Sequence, residues 1–158
     1  MKKSIQFLVS ILLTTGFIGF FITRMIMDDQ MDIYQGAITR SSFLPEKTLF
    51  VGLWLLVLTI SGIALYFVIS NPVQINRRKN VTVNFLILLG SWFAWTFILF
   101  AEANLVGVLV LAITAFILSL LVIFMFWLVN HRAGEILIPA VVWNIFLIVL
   151  SISLRVLN

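Results

Sequence analysis

The chain has 158 residues, of which 63% are hydrophobic and only 10% charged, more apolar surface than a soluble domain of this size can bury. With no cysteine and a single histidine, it has no means for disulfides, thiolate metal sites, cysteine nucleophiles or dithiol redox chemistry, and a metal site or catalytic triad built on histidine lacks its parts. The net charge of +4 does not point to nucleic acid, because the basic residues flank apolar runs and form no separate basic domain. A helix needs roughly 20 apolar residues to cross the hydrocarbon layer. Such runs occur at about 5–26, 48–70, 81–101, 105–129 and 136–157. They are continuous in Leu, Ile, Phe and Val, without the alternation of a barrel strand. The expected fold is an all-α membrane protein: a single membrane domain over 1–158, built as a five-transmembrane-helix bundle with a long loop between helices 1 and 2.

The start, Met1-Lys2-Lys3 ahead of an apolar run, looks like a secretory signal, but Thr23-Arg24-Met25 offers no small-residue cleavage site, so an uncleaved first helix is expected. The segment from Met27 to Lys47 holds Tyr34, Phe43 and Pro45 among its charges, which favours a folded cap over a loose tether. After the second run comes Arg77-Arg78-Lys79, the strongest sign of orientation; together with Lys2, Lys3 and Arg132 it predicts a cytoplasmic N-terminus and an external C-terminus. The stretch from Val81 to Val129 carries Glu102 as its one charge and is too long for a single span, so a break is expected at Glu102-Ala103-Asn104. His131 falls in the short fourth loop, and Pro139 should bend the fifth helix by freeing the carbonyl of Glu135. No Asp, Glu, Lys or Arg lies at the centre of a run, which argues against an ion-coupled transporter.

What the runs do contain is tryptophan away from the headgroup level. Trp92, Trp95 and Trp143 sit well inside their spans, Trp54 lies nearly two turns into the second, and Trp127 alone has the position of an interfacial belt residue. Helical spacing puts Phe50, Trp54 and Ser61 on one face, Trp92, Trp95 and Leu99 on another, and Pro139, Trp143, Phe146 and Leu150 on a third. One such stripe is ordinary helix packing; three in a bundle without charged machinery favour a pocket for a flat apolar ligand. Gly16, Gly19, Ser61, Gly62 and Ala64 would allow close helix approach or a dimer contact.

The stretch from Pro45 through Phe50 and Trp54 to Gly62 and Ala64 resembles the Phe-x3-Trp-x7-Gly-x-Ala signature of the translocator protein family, the tryptophan-rich sensory proteins or TspO/MBR family. Leu137-Ile138-Pro139-Ala140-Val141-Val142-Trp143-Asn144-Ile145-Phe146 is similar to its Leu-x-Pro-Tyr-x-x-Trp-x-x-Phe segment, and Trp92-Phe93-Ala94-Trp95 to Phe100 looks like its third-helix motif. The chain departs from the family pattern at Trp92, where an Asn is usual, at Ala140, where a Tyr is usual, at Glu46, where the loop motif has a second Pro, and in the first loop, where the Trp-Tyr pair survives only around Tyr34. The resemblance implies a bacterial-type member in the cytoplasmic membrane. It implies a homodimer that binds porphyrins or other tetrapyrroles, or sterol-like molecules, with no cofactor required. Trp54 and Trp143 would be facing indoles in the pocket, with Phe50, Trp92, Trp95, Pro45, Pro139 and Phe146 around them and the first loop as lid. Arg40 and Lys47 are the cations available at the mouth for a ligand's carboxylates.

Three functions fit these residues. The first is a receptor-like protein that binds a tetrapyrrole for sensing or trafficking. The second is an enzyme that degrades porphyrin in light through Trp54 and Trp143. The third is a lipid- or sterol-binding or structural membrane subunit whose deep tryptophans are merely packed.

Overall fold

The computed structural model describes residues 3–27, 39, 41–72, 75–102 and 104–158. In lipid a backbone N–H or C=O has no water to bond, so a continuous apolar run satisfies its polar groups within itself, as a helix. Five helices are long and apolar enough to cross a membrane: α1 Lys3–Met27, α2 Lys47–Ile69, α3 Asn76–Glu102, α4 Leu105–Val129 and α5 His131–Leu157. The chain is an all-α, integral, multi-pass membrane protein. Residues 28–38 and 40 lie outside the described residues, and with them Tyr34, Arg40 and most of the expected cap.

Two helix starts depart from the expected spans for one reason. Hydropathy marks the hydrocarbon-length stretch, whereas a helix continues for as long as its backbone bonds do. α3 begins well before Val81, so that Arg77, Arg78 and Lys79 ride on its first turns, and Thr82 donates to the carbonyl of Arg78 at 2.9 Å. α5 begins at His131, which is therefore helical rather than in a loop and pairs with Glu135 one turn on at 3.1 Å. The break between α3 and α4 falls where expected, and Asn104 caps α4 by accepting from the Gly107 N–H at 3.0 Å.

In space the helices follow the order α1, α2, α5, α4, α3, with α3 closing back on α1. Their outer faces expose large apolar side chains such as Phe17, Phe20, Leu56, Ile117, Phe124 and Val142, as a lipid-facing surface requires. The α1–α2 contact is close and partly polar. A methyl group at Gly62 would collide with the Thr14 hydroxyl and lie 3.2 Å from the Ser10 carbonyl, and one at Gly19 would lie 2.8 Å from Leu55. Gly19 and Gly62 are thus spent inside the chain. Thr15 and Thr59 hydroxyls meet across this seam at 3.0 Å. Over Leu12–Ile18, within the seam, α1 widens into a π-helix, and a second π segment, Ile98–Glu102, ends α3.

α4 and α5 are joined by the single residue Asn130. Its extended backbone (φ −152°, ψ 115°) ends one helix, and its side chain starts the next by accepting from the Arg132 N–H at 3.0 Å. Gly134 then packs directly on Trp127, leaving no room for a β-carbon. α5 runs unbroken through Pro139. Among its buried residues Ala133, Leu137, Ala140, Asn144, Leu147, Ser151 and Leu154 follow a spacing of alternating four and three like that of a coiled-coil seam, with Gly134, Trp143 and Leu150 buried beside them.

At the end of the bundle where α5 finishes, the chain leading into α2 is tied to α5. The Thr39 N–H donates to Asn158 Oδ1 at 2.7 Å, Asn158 Nδ2 donates to the Thr39 carbonyl at 3.2 Å, and the Ser41 and Ser153 hydroxyls meet at 2.6 Å.

Candidate functional site

The interior face of α2 carries Phe50 and Trp54, that of α3 carries Trp92, Trp95 and Phe100, and α5 contributes Trp143 and Phe146. Because α2 and α5 are neighbours and α3 reaches across to both, these rings converge on one cluster. Trp54 and Trp143 meet edge to face with centroids 5.0 Å apart and planes at 76°. Trp54 lies 5.9 Å from Trp92 and 6.2 Å from Trp95, and Phe50 lies 5.9 Å from Trp143. Phe146 stacks on Trp143 at 5.1 Å. Phe50, Trp54, Trp92 and Trp95 are fully buried. Edge-to-face and tilted contacts of this kind suit the ring quadrupoles and add about 0.5–1.5 kcal/mol per pair beyond burial.

An indole N–H can only donate, and in a dry interior it needs an acceptor. Trp92 donates to Asn144 Oδ1 at 2.8 Å and Trp95 to Ser151 Oγ at 3.2 Å, while Ser151 passes its own proton to the Leu147 carbonyl at 2.6 Å. Trp54 Nε1 and Trp143 Nε1 have no partner among the described residues, and neither has Asn144 Nδ2. An unpaired buried donor costs about 1–3 kcal/mol, so three within one cluster single it out as a place where acceptors are wanted.

The residues singled out from the sequence divide accordingly. Trp54, Trp143, Phe50, Trp92, Trp95 and Phe146 come together. Pro139 does not: it is exposed on the outside of α5, because the inward seam of that helix runs through Ala140 and Asn144. Pro45 is half-buried just before Glu46, the N-cap of α2, and Lys47 reaches back to the Met27 carbonyl at 3.1 Å, tying the head of α2 to the end of α1. Arg40 is outside the described residues. Sequence reasoning missed Asn144, Ser151 and Phe100. A signal for the first two was present: they are polar residues seven apart in an apolar span, a spacing that returns to the same helix face.

Five membrane-crossing helices closed around a core of indole and phenyl rings define a small multi-pass membrane protein whose interior offers ring stacking and donated hydrogen bonds. The chain belongs to the TspO/MBR family, whose family model matches residues 8–157. No curated protein matches it.

Proposed function

We propose that this protein binds a tetrapyrrole, or a flat hydrophobic molecule of similar outline, between α2, α3 and α5, in a sensing or trafficking role at the bacterial cytoplasmic membrane with its N-terminus inside. The observation that carries the reading is the state of the two indoles that face each other. Trp54 and Trp143 are buried and lack hydrogen-bond partners, whereas Trp92 and Trp95, which back them, are both satisfied within the bundle. Packing alone has no use for two unpaired donors side by side. A ligand stacked between these rings would exchange the Trp54–Trp143 contact for two ring faces, so binding requires the cluster to part. Lys47, and Arg40 in the first loop, are the cations proposed for the ligand's carboxylates. The family resemblance adds a homodimer, and its interface would lie away from Gly19 and Gly62, which α1 and α2 already use against each other.

The test is a titration of detergent-purified protein with protoporphyrin, first in the dark and then under illumination, comparing wild type with Trp54→Phe and Trp143→Phe. Quenched tryptophan emission and a shifted Soret band in the dark, both weakened in the variants, are expected. Equal binding by wild type and both variants would put the ligand elsewhere. Loss of the Soret band in light, abolished in the variants, would mark the light-dependent degrading enzyme instead, and no optical change at all would leave a lipid- or sterol-binding or structural subunit.

A further inference from the structure

The unpaired groups in the cluster are alike in kind. Because an indole can only donate, the Asn144 atom that accepts from Trp92 at 2.8 Å must be the amide oxygen; the side chain cannot be turned round without facing N–H to N–H. That fixes the amide nitrogen as its free end. Trp54 Nε1, Trp143 Nε1 and Asn144 Nδ2 are therefore three donors awaiting acceptors, and no buried acceptor side chain is left unpaired with them among the described residues. The nearby hydroxyls do not compete as donors: Ser61, Thr96 and Ser151 each give their proton to a carbonyl of their own helix, at 2.8, 2.9 and 2.6 Å. The three donors belong to one cluster, since Asn144 follows Trp143 in the chain and is bonded to Trp92, while the Trp54 ring lies 5.0 Å from Trp143 and 5.9 Å from Trp92.

Charge narrows the partner further. Every buried polar side chain among the described residues is a Ser, Thr or Asn, so a carboxylate brought to this depth would meet no counter-charge. We infer that the aromatic cluster selects flat ligands that carry a neutral hydrogen-bond acceptor, such as a ring carbonyl, and that Asn144, held in register by Trp92, is the residue that reads it. The inference rests on the cluster being the ligand site, as proposed above, and adds the chemistry the site demands. Any carboxylates of the same ligand stay outside the cluster, toward the membrane surface.

Two tricyclic probes of matching outline, 9-fluorenone and fluorene, differ in one carbonyl. Titrated calorimetrically into detergent-purified protein, fluorenone should bind roughly tenfold more tightly than fluorene, the ratio that about one neutral hydrogen bond in a dry site provides. In the double variant Trp92→Phe/Asn144→Leu, which removes both members of the buried pair without orphaning Trp92, the preference should fall by roughly threefold or more, Trp54 and Trp143 remaining as donors. Asn144→Gln, which keeps the amide but displaces it by a methylene, should reduce the preference if the double variant does not fold. Equal affinities in wild type, the result if these donors hold only water, would overturn the inference, as would an undiminished preference in the double variant. Protoporphyrin binding with no fluorenone preference would sink this inference alone, whereas failure of protoporphyrin and both probes to bind would remove the ligand site and this inference with it.

Discussion

Along α5 the bundle meets indoles from two sides. On the α3 side, Trp92 and Trp95 lie against Asn144 and Ser151, and both N–H groups are bonded. On the α2 side, Trp54 lies 5.0 Å from Trp143 in an equally buried setting, and neither N–H is bonded. The residue type, the depth and the apolar surroundings are the same on both sides, so the difference comes from what α5 presents to each. Its seam turns the Asn144 oxygen and the Ser151 hydroxyl toward α3, and toward α2 it offers another donor. One face thus pairs its indole donors within the bundle, and the other leaves them without partners among the described residues.

The comparison can be broken most sharply by ligand. Trp54→Phe and Trp143→Phe should each weaken dark protoporphyrin binding at least about tenfold, a loss on the scale of one stacking and hydrogen-bonding partner, read from the quenching midpoint. Next in size is Asn144→Leu, which removes the acceptor from Trp92 and leaves that indole orphaned. Because the substitution also removes the unpaired Nδ2, the net cost is the lost bond, about 1 kcal/mol, seen as a lowered unfolding midpoint in detergent, and adding Trp92→Phe should restore most of it. Ser151→Ala should cost less, about 0.6 kcal/mol, typical of an interhelical hydrogen bond in a membrane protein. The smallest effect is the most informative. Without ligand, Trp54→Phe should leave the unfolding midpoint unchanged or slightly raised, since the lost ring area is offset by removal of an unpaired donor. A drop as large as that of Asn144→Leu would mean that the Trp54 N–H is satisfied after all, and the contrast between the two faces would disappear.

The five helices were legible in the sequence because span length and apolar continuity are local properties. The break at Glu102 and Asn104 was legible for the same reason, a charge and a helix-capping residue in an otherwise apolar stretch. Helix starts were not, since the polar turns at Arg77 and His131 extend each helix beyond its apolar core. Within the site, the tryptophans of α2 and α3 could be assigned to inner faces from spacing alone. On α5 the same spacing held for Trp143 and Leu150, which are inside, but not for Pro139, because at that turn the buried positions are Leu137 and Ala140. Which indoles find partners depends on how α3 and α5 are turned toward each other, and no single segment encodes that rotation. The π segment at Leu12–Ile18 was equally hidden, arising where Ser10, Thr14 and Thr15 meet Thr59 and Gly62 on another helix.

The one-residue joint at Asn130 has a mechanical consequence. Two helices that share a single capping residue, with Gly134 pressed against Trp127, cannot slide past one another by a turn without losing both the cap and the contact. α4 and α5 therefore act as one plate, and Trp143, Asn144 and Ser151 are fixed to it. Phe50 and Trp54 meet that plate from α2. The plate thus carries the polar anchor together with Trp143 and Phe146, and α2 sets Phe50 and Trp54 against it as the facing wall.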